Sequence, residues 1–192
     1  MTKFIDLWDR VVSVLNSAGD WAGLLIIRLL MAYEFANAGF RKLDSSDTLW
    51  GDVPGWFVRN MANAPFPFAQ LPAEFNWFLV TWAEILGGLA LVIGLFTRFW
   101  AFSLVIVTIV AIFSTHWPAD WSSLSELWEG YRITAKDGSG NFRVPLLFLA
   151  MLIPLVLIGP GKLSVDKLLS DYFSKKELLM YAASGRRISK GG

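Results

Sequence analysis

Four long apolar segments dominate the pattern of hydrophobic and polar positions along the chain. They cover about residues 22–40, 75–96, 99–115 and 142–158. A helix needs about 20 predominantly apolar residues to cross a bilayer. The pattern therefore predicts an all-α membrane protein whose central part, residues 20–162, is a bundle of four transmembrane helices. Buried core helices of a soluble domain are the alternative, but residues 75–96 contain a single charged side chain, which favours the membrane.

Amphipathic segments flank this bundle at both ends. In residues 1–19 the apolar side chains share one helical face, which is typical of a helix lying in the membrane interface. Ser17–Asp20 is expected to end that helix before the first span begins. Residues 163–192 are predicted to form a second amphipathic helix that begins at Ser164, followed by a flexible tail from about Ser184.

The connections between the spans differ in length and charge. Thr97–Arg98 alone separates the second and third segments, which predicts a tight antiparallel hairpin, while the other two connections are long. With four spans, both termini lie on one side and both long loops on the other. Ten Lys and Arg residues then fall on the termini side and six on the loop side. Cytoplasmic segments carry the excess of positive charge, so the termini are predicted to be cytoplasmic.

The long loops are rich in aromatic residues. The usual explanation is an aromatic belt at the bilayer surface, and the alternative is a docking surface or lid over the bundle. Ser123 and Glu126 fit a capping box. They predict a short helix that carries Trp128.

Composition limits the chemistry that the chain carries by itself. Hydrophobic residues make up 55% of the chain and charged residues 17%, against about 25% charged residues in soluble domains. A net charge of +1 offers no basic surface to a nucleic acid. The chain has no Cys and one His, which excludes thiolate metal sites, Fe–S ligation and a haem held by two histidines of one chain. Redox or copper chemistry must therefore be shared with a partner.

Polar side chains inside the predicted spans are the main functional candidates: Arg28, Glu34 and Asn37 in the first and Glu84 in the second. An ionisable side chain near the bilayer centre costs roughly 2.5–3.5 kcal/mol, so such groups usually face the bundle interior. Counting from the centre of each segment places Glu84 within about 2 Å of the midplane, with Glu34 at a similar depth. Together with Asn37 and His116, these two carboxylates would line a polar pocket open to the loop side. Such a pocket could relay protons, bind a cation or hydrogen-bond a quinone head group.

Two other interpretations of these residues stay open. Arg28 and Glu84 could instead form an ion pair that clamps the first two spans together. His116, Glu34 and Glu84 could supply part of a copper or zinc site, although a lone interfacial His is more often structural.

The segments that carry these charges resemble the DoxX-like family. Residues 28–43, RLLMAYEFANAGFRKL, are similar to its first-helix signature, and residues 84–98, EILGGLALVIGLFTR, to its second helix and turn. Residues 159–166, GPGKLSVD, resemble the end of its fourth helix. The resemblance covers about residues 20–170, and the matching positions are Arg28, Glu34, Gly39, Lys42, Glu84, Gly87, Gly88, Thr97, Arg98 and His116.

This resemblance implies a four-helix protein of the bacterial inner membrane. Thr115–Trp121, Glu126–Thr134 and Gly140–Phe142 resemble more narrowly the HvfX-type branch, which is associated with the maturation of copper-binding ribosomal peptides. The branch implies an accessory role in making, exporting or installing such a peptide. The wider family implies a quinone-linked membrane subunit of a thiosulfate:quinone-type redox complex.

A small transporter or proton-coupled channel is a third hypothesis. For these three function hypotheses together, the expected cofactor is quinone or copper. The expected partners are the lipid bilayer, a copper-binding peptide, a redox enzyme or a second copy of the chain. Nucleic acid is not an expected partner.

Overall fold

Helices make up the computed structural model, which describes residues 2–44, 52–133, 138 and 140–183 and shows no strand among them. In chain order they are α1 (Thr2–Asp44), α2 (Gly55–Met61), a 3-10 turn (Phe68–Gln70), α3 (Ala73–Ile93), α4 (Thr97–Ala111) with a π-helical turn (Ile112–His116), α5 (Leu124–Glu129), α6 (Arg143–Leu157) and α7 (Val165–Ala183). The tail predicted to be flexible from Ser184 lies outside the described residues.

The bundle consists of α1, α3, α4 and α6. Helix α1 packs along α3, and α6 packs against both α4 and α1. Their shared core is apolar, and each of its central side chains is at most 5% exposed: Met31, Phe35, Leu91, Leu104 and Leu155. Large apolar side chains also cover the outer faces, among them Leu29, Leu86, Phe102 and Ile153. Helices that are apolar all round belong in a large core or in lipid, so the all-α membrane fold predicted from the sequence is confirmed.

In the described part of the chain, three helical segments are long and apolar enough to cross a bilayer; they lie in α1, α3 and Thr97–His116. Helix α6 is apolar but has 15 residues. At 1.5 Å per residue it is about 22 Å long, shorter than a hydrocarbon core of about 30 Å. The count of four spans therefore stays a prediction.

Single-cysteine labelling checks that count, because the chain has no native Cys. With four spans, Ser17→Cys and Ser170→Cys are expected to react with a membrane-impermeant maleimide from the same side of the membrane, and Ser125→Cys from the opposite side. All three positions are exposed. If Ser170→Cys instead reacts from the side of Ser125→Cys, α6 does not cross.

Helix α1 has no break at Ser17–Asp20, which corrects the expected end of a helix there. One helix of 43 residues runs from Thr2 to Asp44. Gly19 lowers helix stability by only about 1 kcal/mol relative to Ala. Asp20 does not cap a new helix, since its carboxylate accepts a hydrogen bond from Lys162 Nζ at 2.7 Å. A helix of this length measures about 64 Å, twice the hydrocarbon core. Residues 2–19 continue the helix that contains the first predicted span.

The α3–α4 hairpin is as tight as predicted, but its turn is Gly94–Phe96 and α4 already contains Thr97. Gly94 ends α3 in the left-handed conformation (φ +69°), which glycine adopts without a steric penalty. The two carboxylate oxygens of Asp166 accept the N–H groups of Phe96 and Thr97 at 2.7 and 2.8 Å. The first turn of α7 thus caps α4, a role that the sequence pattern did not indicate.

Hydroxyl caps begin α5 and α7 where the sequence predicted them. Ser123 Oγ accepts the N–H of Glu126 at 3.2 Å, and Ser164 Oγ accepts the N–H of Lys167 at 3.1 Å. The backbone N–H of Ser122 donates to the Glu126 carboxylate at 2.8 Å, which lowers the pKa of that carboxyl. Helix α5 therefore holds Trp128 on a capped turn.

Candidate functional site

A cavity of about 370 Å³ lies between α1, α2, α3, α4 and α6, in the loop-side half of the bundle. Its wall is mainly apolar and includes Phe35, Phe57, Val80, Val110 and Phe148. Glu34, Lys42, Glu84 and His116 add ionisable groups to the same wall. A concave apolar pocket of about 300–1,000 Å³ with a few polar groups is the usual form of a small-molecule site.

A buried ion pair joins α1 to α3 at this cavity. Lys42 Nζ lies 2.5 Å from Glu84 Oε2, and the two side chains are 21% and 8% exposed. The Glu84 carboxylate is thus buried beside an opposite charge. The attraction to the Lys42 ammonium compensates the free-energy cost of removing the carboxylate from water. The pair that the structure makes is Lys42–Glu84, and not the Arg28–Glu84 clamp considered from the sequence.

Contacts between glycine and backbone set the register of α1 against α3 and explain this outcome. A Cβ built on Gly39 would lie 2.9 Å from the N of Ile85, and one on Gly94 would lie 2.6 Å from Arg28 Nη1. The guanidinium of Arg28 is therefore level with Gly94, ten residues beyond Glu84, a separation of about 15 Å along the helix. Glu84 lies near the level of Gly39 on α1, and its predicted depth near the midplane stays a prediction.

Arg28 lies at the opposite end of the bundle from the cavity, where it contacts the linker between α6 and α7. It is 2% exposed, and its guanidinium donates to the carbonyls of Pro160 and Leu163 at 2.7 Å each. Asp166 interacts with it electrostatically. Arg28 therefore fastens the α6–α7 linker to α1 and does not line the cavity.

Glu34 and Asn37, both site candidates in the first predicted span, separate in the structure. Glu34 is half-buried and lines the cavity, whereas Asn37 is half-buried outside its lining. Within the described residues, the Glu34 carboxylate has no hydrogen bond or ion pair. It is thus an available acceptor at the cavity wall.

His116 reaches the cavity from the π-helical turn that ends α4. Its Nδ1 lies 2.6 Å from the side-chain oxygen of Asn141, and the N–H of Asn141 donates to the His116 carbonyl at 3.0 Å. Gly140 permits this close approach, since a Cβ there would lie 2.6 Å from the same carbonyl. π-Helical turns often occur at functional sites. Asn141 orients the ring.

In the part of the chain that the structure describes, His116, Glu34 and Glu84 do not by themselves make up a complete metal site, and their part in a shared one stays a prediction. Among the described residues, no three His, Cys, Asp or Glu side chains are grouped so that they could hold a metal ion. The carboxylate of Glu84 is instead bonded to Lys42.

Two residues of the site were not identified from the sequence as site candidates. Lys42 could have been found from spacing, because it follows Gly39 by three residues and so shares the helical face that packs on α3. Asn141 has no such signal, since only the fold of the loop brings it to His116.

Comparisons with known proteins agree with this architecture. The sequence profile of the DoxX family matches residues 23–117, from the middle of α1 to the cavity wall after His116. The chain is also 30% identical over 167 residues to an uncharacterized protein of Haemophilus influenzae, covering 87% of this chain and 96% of that protein. The chain belongs to the DoxX family. No solved structure matches this DoxX protein.

The DoxX match contains both partners of the buried ion pair, and a double-mutant cycle measures their coupling. Lys42→Met and Glu84→Gln are each expected to lower the free energy of unfolding by about 2–3 kcal/mol, less than for a fully buried pair because Lys42 is partly exposed. The double variant is expected to recover at least about 1 kcal/mol of the summed loss. Thermal unfolding in detergent provides the measurement.

The exposed pair Arg132–Glu129, 3.2 Å apart, is the control for this cycle. Its coupling is expected to stay below about 1 kcal/mol. Strict additivity of Lys42→Met and Glu84→Gln would contradict the ion pair.

Proposed function

We propose that this DoxX-family membrane protein binds a lipophilic molecule of the quinone class in the cavity and serves a redox partner as its membrane subunit. The observation that carries the proposal is the cavity itself, because it joins apolar walls to a few ionisable groups between membrane-spanning helices. A lipophilic ring with a hydrogen-bonding head group has the matching chemistry.

The residues of the cavity fit such a molecule. Phe57 and Phe148 supply flat apolar surfaces for a ring, and Glu34 and His116 supply polar contacts for its oxygen atoms. The Lys42–Glu84 pair keeps the charge of the adjoining wall balanced. When bound, a quinone supplies two-electron chemistry, and this chain's own residues bind and orient it. The chain has no Cys and one His, so electrons must come from or go to a partner protein.

The proposed location is the bacterial inner membrane with cytoplasmic termini. The excess of Lys and Arg on the termini side supports this orientation. The cavity would then open in the outer half of the membrane, beneath the two long loops.

Ligand binding by the protein in lipid nanodiscs tests the function. A short-chain benzoquinone is expected to quench the fluorescence of Trp56, which lines the cavity, and Ala83→Phe is expected to weaken binding at least tenfold by filling it. Leu86→Phe on the exposed outer face is the matched control and should leave binding unchanged. Failure of the wild-type protein to bind either the benzoquinone or its hydroquinone, or equal binding by Ala83→Phe, would refute the function.

Accessory service in the maturation, export or installation of a copper-binding peptide is the second candidate function. Exposed aromatic and aliphatic side chains on and beside α5 support it: Trp121, Leu124 and Trp128 are 47%, 80% and 63% exposed. Such a patch is typical of a protein-docking surface. Copper would be held by the peptide.

Co-purification tests this second function. If a Cys-rich precursor is encoded beside this gene, the precursor is expected to be retained by the wild-type protein and lost with Leu124→Ser and Trp128→Ser. Leu79→Ser, at the cavity, is the control. No observation favours the transporter hypothesis, which stays a prediction.

A further inference from the structure

Hydrogen-bond donors at the cavity wall are largely bonded within the protein. Lys42 Nζ donates to Glu84, Asn76 Nδ2 donates to the Phe68 carbonyl at 2.8 Å, and Thr108 Oγ1 donates to the Leu104 carbonyl at 2.7 Å. The Ser114 and Thr115 hydroxyls share a hydrogen bond of 3.3 Å, in which one of them donates and the other keeps its proton. Within the described residues the indole N–H of Trp56 also has no acceptor, but Trp56 is 46% exposed.

Acceptors at the same wall are available. In the part of the chain that the structure describes, the Glu34 carboxylate has no bonded partner. Glu84 bonds to Lys42 through Oε2, which leaves Oε1 as an acceptor. A carboxylate accepts hydrogen bonds and donates none.

His116 adds a third acceptor through its tautomer. The side-chain oxygen of Asn141 cannot donate, so at 2.6 Å the proton between them belongs to His116 Nδ1. In the neutral imidazole the opposite nitrogen, Nε2, then carries a lone pair. The cavity thus combines largely committed donors with available acceptors.

We propose that the cavity prefers the hydroquinone form of its ligand to the quinone form. The two hydroxyls of a hydroquinone donate hydrogen bonds, whereas the carbonyls of a quinone only accept them. A buried acceptor facing another acceptor leaves both without a partner. This inference rests on the proposed function and adds to it the oxidation state of the bound molecule.

A comparison of three ligands of similar shape tests the preference in nanodiscs under anaerobic conditions. They are a short-chain hydroquinone, the corresponding quinone and the dimethyl ether of the hydroquinone, which lacks donors. The hydroquinone is expected to bind at least tenfold more tightly than either of the others. A tenfold difference raises the midpoint potential of the bound two-electron couple by about 30 mV, which redox titration measures independently.

Variants connect the preference to named acceptors. Glu34→Leu and His116→Phe are each expected to reduce the hydroquinone-to-quinone affinity ratio at least threefold. Glu129→Gln, on the exposed helix α5, is expected to leave the ratio unchanged. Should either cavity variant fail to fold, the ether comparison on the wild-type protein still decides.

The outcomes separate the two proposals. Equal or tighter binding of the quinone or the ether would overturn the preference and leave the proposed function in place. Absence of binding by all three ligands would instead remove the proposed function. An unchanged affinity ratio in folded Glu34→Leu and His116→Phe would also overturn the preference.

Discussion

Gly88→Leu is expected to abolish the folded bundle or to lower its free energy of unfolding by about 3 kcal/mol or more. A Cβ at this position would lie 2.7 Å from the N of Ala36 and 2.9 Å from the carbonyl of Ala32. Both are backbone atoms of α1, which cannot move aside as a flexible side chain can. The helices would separate, and the Lys42–Glu84 pair that joins them would be lost. Thermal unfolding and gel filtration in detergent measure the effect.

Gly23→Leu is the matched control for this variant. Gly23 lies in α1, the helix that Gly88 of α3 contacts, and a Cβ there would meet nothing within 4 Å. Replacing a helical glycine removes a cost of about 1 kcal/mol, so a neutral or slightly stabilised protein is expected. A Gly88→Leu protein that unfolds like the wild type would show that α1 and α3 do not approach as closely as described.

Arg28→Leu is expected to release the α6–α7 linker and lower the free energy of unfolding by about 3 kcal/mol. The substitution removes two short charge-assisted hydrogen bonds, to Pro160 and Leu163, each worth about 1.5–3 kcal/mol. Faster hydrogen exchange in residues 159–168 and protease cleavage in the linker are the direct measurements. Arg28→Lys is expected to rescue only partly, since an ammonium lacks the planar fork of donors.

A second arginine provides the control. Arg98 also donates to a carbonyl of this region, that of Ile158 at 3.1 Å, but it is exposed. Arg98→Leu is expected to lower the free energy of unfolding by less than about 1 kcal/mol. If the two arginine variants had equal effects, the buried contacts of Arg28 would not be what fastens the linker.

Much of the fold could be predicted because it depends on local composition. Apolar length located the bundle helices, and Ser123 and Ser164 predicted the starts of α5 and α7. The uninterrupted helix through Ser17–Asp20 was missed. A residue of low helix propensity destabilises a helix by only about 1 kcal/mol. Helical segments on both sides can outweigh that cost, so such a residue need not end the helix.

The candidate site was predicted in part. Glu34, Glu84 and His116 do line one cavity, as expected of polar groups placed on apolar helices. The partner of Glu84 was missed, because counting residues from the centre of each segment ignores the register of the helices. That register depends on the close approach at Gly39 and Gly88, which is a property of two packed surfaces.

The sequence by itself determined that this is an all-α membrane protein without thiol chemistry of its own. The length of its apolar segments and the absence of Cys do not depend on which residues pack together. The tertiary structure alone decided which charges meet. It separated Arg28 from Glu84 by about 15 Å along α3, gave Glu84 to Lys42 and brought Asn141 to His116. Pairing over such chain distances depends on helix register and loop closure, which no local pattern specifies.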